Sequence, residues 1–302
     1  IILFYKYTPI ANPEAFVKWH KEIGPKLGLT GRVHIAHEGI NATLEGINAN
    51  IDEYMRLIRE QDFADLKNVA IKTSIGIGDA FPKFKAKVKE EIVALKLTRA
   101  DGIEEDVDPN EITGVHLKPE ELKSWYDNGD DFVILDMRND YEFKVGHFKN
   151  SINVGLKNFR DLPEVLPKLI EKHPEIAEKK ILTVCTGGVR CEKASGFLKK
   201  KGFDEVYQLD GGMHMYMEKF PGNAAEGKPC EFRGALYTFD NRMTMDFVNN
   251  DAHPEGQAAR EIIGRCQVCE NPTERYGHCA NDVCHKHLLI CKDCAQNHIY
   301  VW

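Results

Sequence analysis

No stretch of this sequence is apolar for long enough to cross a membrane. No basic, apolar, small-residue leader opens it either. These absences set integral membrane proteins aside and predict a chain without a membrane partner. The first residues, Ile1-Ile2-Leu3-Phe4-Tyr5, include no methionine and alternate like a strand, so a few native residues are expected before them. No Gly-x-Gly-x-x-Gly follows a strand and no two-histidine-one-carboxylate set is evident, so no flavin or iron site is expected. Internal repeats and low-complexity tracts are missing as well. So is a surplus of positive charge: the formal net charge is −7, which taken alone argues against a nucleic-acid partner. Locally the balance differs. Lys83, Lys85, Lys87, Lys89, Lys96 and Arg99 crowd one segment, opposed by Glu90 and Glu91. The acidic run Asp101, Glu104, Glu105, Asp106, Asp108 and Glu111 follows at once. Solvated surface and linker account for these runs as well as a binding face does.

What is present suits a globular protein of two or three domains: 302 residues, 42% hydrophobic and 29% charged. Residues 1–92 read as β-α-β-β-α-β, a ferredoxin-like α+β domain. Its strands are Ile1–Tyr7, Arg32–Ala36, Ile40–Leu44 and Val69–Lys72. Its helices are marked by Phe16, Trp19, His20, Ile23 and Leu27, then by Ile51, Tyr54, Met55 and Ile58, at helical spacing. A basic strand and an acidic linker occupy 81–114, with the linker proper at 93–114. Residues 115–222 alternate strands and helices, which predicts an α/β domain with a mostly parallel sheet covered on both faces. Residues 223–302 hold few periodic apolar segments, and without metal so small and polar a region could hardly bury a core.

The most informative stretch is Cys185-Thr186-Gly187-Gly188-Val189-Arg190-Cys191. The apolar run Ile181–Val184 before it reads as a buried parallel strand, and Glu192–Leu198 after it reads as the opening of a helix. A cysteine on such a turn meets converging N–H groups and the positive end of a helix dipole, which lower a thiol pKa. Gly187 and Gly188 let the backbone curl around the sulfur, and Arg190 adds a permanent positive charge. A buried structural cysteine in a tight turn is the weaker alternative. Cysteine-dependent phosphatases place five residues between cysteine and arginine; here there are four, a cradle sized for one extra sulfur, which resembles a rhodanese loop. The strand ending Asp136-Met137-Arg138, followed by Glu142 and Gly146-His147, resembles the other rhodanese signature, in which Asp136 and Arg138 brace the domain. Leu209-Asp210-Gly211-Gly212-Met213 resembles the turn that closes that domain.

Nine cysteines could suggest disulfides, but six of them lie between Cys266 and Cys294 in a CxxC-bearing pattern that suits metal, which points to a reducing, cytoplasmic compartment. Cys266-x-x-Cys269 and Cys291-x-x-Cys294 are spaced like the knuckles of a structural zinc ribbon. Cys279 and Cys284, with His278, His285 or His287 nearby, are candidates for a second site; one zinc is the first reading and two remain open. Reduced structural cysteines are the plain alternative.

A longer set of residues narrows the family. Cys185–Ser195, Gly31-Arg32 leading to Glu38–Thr43, Lys87–Val93, and Phe239-Asp240-Asn241-Arg242 together resemble the oxygen-dependent, rhodanese-domain tRNA uridine(34) hydroxylases of bacteria over nearly the whole chain. The resemblance implies 5-hydroxyuridine formation at the wobble position, tRNA as partner and molecular oxygen as co-substrate. Two other readings stay open. One is a sulfurtransferase passing persulfide to a small thiol or protein, with a sulfur donor protein or thiol as partner. The other is a non-catalytic zinc-bearing RNA-binding module. His34, His37 and Glu38 border the Gly39 turn and line the site or serve as satisfied surface groups. Phe81 and Phe84 are candidates for base stacking or for core.

Overall fold

The computed structural model describes residues 1–95, 97–98, 104–105, 107–221, 230–247, 261–281, 284 and 286–297. Lys96, Arg99, Asp101, Asp106 and His285 lie outside the described residues, as do the side chains of Glu104 and Glu105.

The N-terminal unit runs β1 (Ile2–Tyr7), α1 (Pro13–Lys26), β2 (Thr30–Ala36), β3 (Gly39–Glu45), α2 (Asn48–Glu60), β4 (Ile71–Thr73) and β5 (Phe84–Val88). The sheet order is β4-β1-β3-β2-β5, the expected βαββαβ arrangement with one strand added. Asn12 caps α1 by accepting from the Ala15 N–H at 2.9 Å, and Pro13 opens the helix where its missing N–H costs nothing. Alternation decides which face is buried. Phe4, Val33, Ile35, Ile40, Ala42 and Leu44 face the helices, where they meet Phe16, Tyr54 and Ile58. The opposite face carries Leu3, Tyr5, Arg32, His34, Asn41 and Thr43, aligned in rows Leu3–Thr43–Arg32 and Tyr5–Asn41–His34. The basic strand is part of this sheet. β5 pairs in parallel with β2 and sets Lys85 beside Arg32 and Lys87 beside His34.

Two short strands, β6 (Leu97–Thr98) and β7 (Glu104–Glu105), pair antiparallel in the connection that follows. The apolar residues Val93, Leu95, Val107 and Ile112 on either side of them pack into the next unit's core. That unit contains β8 (Val115–Leu117), α3 (Pro119–Asn128), β9 (Phe132–Asp136), α4 (Asp140–Phe143), β10 (Gly146–Phe148), β11 (Ile152–Asn153), α5 (Leu162–Lys172), β12 (Lys180–Val184), α6 (Val189–Lys200), β13 (Val206–Leu209) and α7 (Gly212–Lys219). Its five-stranded sheet, β11-β9-β12-β13-β8, is parallel throughout. Both faces are covered, one by Leu162, Leu166, Ala194 and Leu198, the other by Leu122, Met213 and Tyr216. This is why β9 and β12 are apolar on both sides.

The C-terminal region has β14 (Phe232–Gly234), β15 (Leu236–Tyr237), β16 (Thr244–Met245), β17 (Tyr276–His278), β18 (His287–Leu289) and α8 (Lys292–Asn297). Its first part does not depend on metal for a core. β14 pairs with β10, and Phe232, Leu236 and Phe247 enter the core under α7, so the arm borrows apolar surface from the preceding unit.

Candidate active site

β12 ends in Val184 and delivers Cys185 to the turn that starts α6. Gly188 caps that helix at φ +104°, a left-handed conformation that glycine takes without strain. Its N–H reaches the Cys185 sulfur at 3.2 Å. Cys185 is wholly buried. Burial alone would raise its thiol pKa, but contact with the Cys191 thiol, the Arg190 charge and the N–H groups of Cys191 and Arg190 outweigh it and bring the thiol down to about 6. Cys191, buried beside it, is pushed up by burial and by Cys185. All nine cysteines are free thiols.

Arg190 is a fixed cation. Its guanidinium is forked onto Glu142 at 2.7 and 2.9 Å and donates to Thr186 Oγ1 at 3.3 Å. Burial pushes the Glu142 carboxyl up, and the charges of Arg190 and Arg138 hold it below its ordinary range. Asp136 and Arg138, at the end of β9, form a second ion pair with both side chains fully enclosed; the Nε–Oδ1 and Nη2–Oδ2 distances are 3.0 and 2.7 Å. Arg138 also donates to the Gly146 carbonyl, tying β9 to β10. Thr186, Gly187, Gly188 and Val189 make up the chain between Cys185 and Arg190.

The helix-free face of the N-terminal sheet covers this loop. A Cβ added at Gly187 would lie 2.7 Å from Leu3 Cδ2, and one at Gly188 would lie 2.7 Å from the Tyr5 hydroxyl. Tyr7 donates to the Val189 carbonyl at 3.1 Å and Tyr5 to Glu192 at 3.0 Å. Of the residues near the Gly39 turn, Glu38 is a structural tie, accepting from the buried Lys193 at 2.6 Å and from the Ile92 N–H at 2.7 Å. His37 Nδ1 is bonded to the Ile10 carbonyl at 3.0 Å. His34 lines a cavity.

That cavity, about 290 Å³, lies between the sheet face, the loop and the C-terminal arm. Arg32, His34, Asn41, Thr43 and Phe81 form its N-terminal side; Thr186 and His214 come from the central unit, and Phe239 and Arg242 from the arm. Arg32 donates to the Phe239 carbonyl and lies 5.4 Å over the Phe81 ring. Arg242 is forked onto Asp240 at 2.8 and 2.7 Å and reaches Ser74 at 2.8 Å. Phe84 packs against the N-terminal core instead. The sequence names Glu142 and Phe239 as motif residues without a role in the site, and it gives no sign of His214.

The sulfurs of Cys266, Cys269, Cys291 and Cys294 all lie within 4.8 Å of one another, so the tail holds a site for a metal ion. Four thiolates at about 2.3 Å from a tetrahedral zinc would be about 3.8 Å apart, and the Cys269–Cys291 separation is 3.7 Å. Burial would raise the Cys266 thiol, but N–H groups of Cys291, Cys269 and Val268 bring it down to about 6, the arrangement of a thiolate knuckle. Cys279 and Cys284 join no group of three or more ligating side chains among the described residues. His287 stacks on Tyr141, with ring centroids 4.3 Å apart.

A buried low-pKa cysteine separated by four residues from an arginine, on a loop between a parallel strand and a helix, defines a rhodanese-like domain. Family models match accordingly: a UPF0176 acylphosphatase-like domain over residues 1–92, a rhodanese-like domain over 118–219 and a rhodanese C-terminal region over 233–300. The tRNA uridine(34) hydroxylase of Staphylococcus carnosus is 37% identical over 98% of this chain and 90% of its own length. That of Bacillus velezensis is 40% identical over 96% and 82%, and that of Cytophaga hutchinsonii 39% over 98% and 86%. The chain belongs to the tRNA uridine(34) hydroxylase family.

Proposed function

We propose that the protein hydroxylates C5 of the wobble uridine of tRNA, with molecular oxygen as co-substrate and Cys185 as the reacting group. The observation that carries this reading is the near-full-length match to hydroxylases of that name in a chain whose rhodanese loop keeps its thiol poised. At neutral pH a thiol of pKa about 6 is mostly thiolate. A thiolate adding to C6 of the base moves electron density to C5, the carbon to be oxidised. One oxygen atom of O₂ enters the base and the other leaves as water, so a two-electron donor is required. Loading of Cys185 by a donor that already carries sulfane sulfur, a protein persulfide or the persulfide of a small thiol, fits the four-residue cradle: the Cys185 thiolate takes the outer sulfur, the donor S–S bond breaks and the donor leaves as a thiolate. Arg190, pinned by Glu142, stabilises negative sulfur, and the Asp136–Arg138 pair holds the strand end beneath it.

The tail's four cysteines suit one structural zinc with no open coordination position. The site of action is the cytoplasm; no described helix is long and apolar enough to cross a membrane. tRNA approaches along β5, where Lys85 and Lys87 stand exposed beside Arg32 and His34. Phosphate contacts of this kind release counterions, so affinity falls steeply with salt. Replacing Lys83, Lys85 and Lys87 together by glutamate is expected to weaken tRNA binding at least tenfold while leaving persulfide formation at Cys185 intact; unchanged binding would place the RNA path elsewhere.

The deciding experiment deletes the gene and measures 5-hydroxyuridine in bulk tRNA by mass spectrometry. Loss of the nucleoside, restored by the parent gene and not by Cys185→Ser, is the expected result. Unchanged tRNA in a strain that has lost thiosulfate-dependent sulfur transfer would favour the sulfurtransferase reading.

A further inference from the structure

We infer that the cavity between the sheet face, the loop and the C-terminal arm receives a single unstacked uracil, and that His214 selects it by accepting a hydrogen bond from N3–H. This deepens the tRNA reading above and rests on it.

The size comes first. At about 290 Å³ the cavity stands at the small end of ligand sites, about 300–1,000 Å³, which suits one nucleoside and excludes a run of stacked bases. The walls come next. Single-stranded RNA is read by bases turned out onto aromatic side chains. Phe239 is 41% exposed although its backbone carbonyl is held by Arg32 and its ring lies 5.0 Å from Tyr237. A large apolar ring kept at a cavity mouth by two fixed neighbours is a surface for a base to cover. Asn41 and Thr43, on adjacent rows of the sheet floor, offer hydrogen-bonding groups to the carbonyl edges of a pyrimidine.

His214 supplies the specific observation. It is 3% exposed, and its Nδ1 is buried without a hydrogen-bond partner. Such an orphaned group is costly in a folded protein, and a ligand that satisfies it recovers that cost. Burial, with the charges of Lys72 and Arg242, brings the imidazole pKa down to about 4, so the ring is neutral at physiological pH. Nδ1 is the ring nitrogen left unpartnered beside the cavity, and the tautomer we assign carries its proton on Nε2, so that Nδ1 offers a lone pair. On the edge of uracil the one donor is N3–H, flanked by two carbonyls; in cytosine N3 is itself an acceptor. A buried acceptor therefore favours uridine and rejects cytidine, the kind of unpaired-group penalty that gives strong discrimination. Placement agrees with the chemistry. The His214 backbone N–H donates to the Thr186 carbonyl at 3.0 Å and the Met213 N–H to the Cys185 carbonyl at 2.9 Å, so the base-reading ring and the reactive loop are tied together.

The test uses the full chain with anticodon stem-loops that carry uridine, cytidine or 4-thiouridine at position 34. Irradiation of the 4-thiouridine RNA should cross-link the parent at the cavity, with Phe239, Phe81 or His214 in the labelled peptides. His214→Phe keeps a ring and removes the acceptor; the preference for uridine over cytidine in binding should fall at least tenfold. His214→Asn, which can return an acceptor near Nδ1, should recover part of it. Phe239→Ala should weaken both RNAs alike. Thermal unfolding confirms that each variant is folded. A folded His214→Phe protein with the parent's preference overturns the role of His214. Cross-links elsewhere, in protein that still forms 5-hydroxyuridine, overturn the pocket and leave the function standing. A parent that neither binds nor modifies the RNA removes both.

Discussion

Two groups of cysteines in this chain reach the same acidity by different routes. Cys185 and Cys266 are each brought down to about 6 against the effect of burial, and backbone N–H groups contribute at both. At Cys185 the remaining positive charge is a guanidinium that belongs to the protein and is locked onto Glu142. The sulfur is thus stabilised while keeping its bonding capacity for something new. At Cys266 three more sulfurs converge on the same point, and the charge that would reconcile them is a metal ion. A fixed cation beside a sulfur leaves it reactive; a shared cation between sulfurs uses them up.

The sharpest way to break the comparison is to exchange one atom. Cys185→Ser should reduce 5-hydroxyuridine formation to background while leaving the metal content and the unfolding temperature near the parent's; activity in that variant would disprove a sulfur-based mechanism. Next in size is metal removal. Structural zinc is worth about 10–16 kcal/mol of folding free energy in small modules. Stripping it with a strong chelator should release about one zinc per chain by elemental analysis and open residues 261–297 to protease, with the rhodanese-like core intact. A tail that stays protease-resistant and metal-free would count against the site.

The two arginine pairs give a smaller effect. Asp136→Ala strands a fully enclosed guanidinium and should cost about 3–5 kcal/mol in urea unfolding. Arg190→Lys retains the charge but loses the fork, so activity should fall far more than stability. Similar losses of stability in both variants would erase the distinction between a brace and a charge holder. The smallest effect is spectroscopic. The folded pKa of Cys185 lies below that of a free thiol, about 8.5, so thiolate is present above about pH 6 and is lost as pH falls through that value. The ultraviolet thiolate absorbance of the parent minus that of Cys185→Ser should titrate with a midpoint near 6, and a midpoint above 8 would contradict the cradle.

Much of this was legible because it is local. Strand, cysteine, double glycine, arginine and helix lie within about twenty residues, and each has its own backbone or charge requirement. The four tail cysteines are legible for the same reason, since CxxC spacing is itself a geometry. The alternation of Ile2, Phe4, Leu44, Ala42 and Ile40 gave the N-terminal sheet. What the sequence concealed is made by chain segments far apart. His214, Phe239 and Arg32 meet across about 200 residues, and no periodicity marks them. Glu142 holds a place in the signature but no role until Arg190, 48 residues on at the start of α6, forks onto it. The basic strand was legible as a strand but not as a sheet edge, because β5 has one buried side chain, Ala86, and two exposed lysines; only its pairing with β2 places it in the sheet. The C-terminal arm was read as too polar to hold a core because its partner surface belongs to another part of the chain.

The close fit of Leu3 over Gly187 carries a consequence for inheritance. Gly187 is not among the glycines in a left-handed conformation, so a lone rhodanese-like domain would lose little by replacing it with alanine. Here the new methyl would meet Leu3 Cδ2 at 2.7 Å, the end of a flexible side chain that must turn aside, so the two positions, 184 residues apart in sequence, are coupled. Gly187→Ala should cost a little stability by itself and nothing once Leu3 is shortened to alanine. Joining a cover to the loop has thus made two separate stretches of the gene answer to each other's mutations.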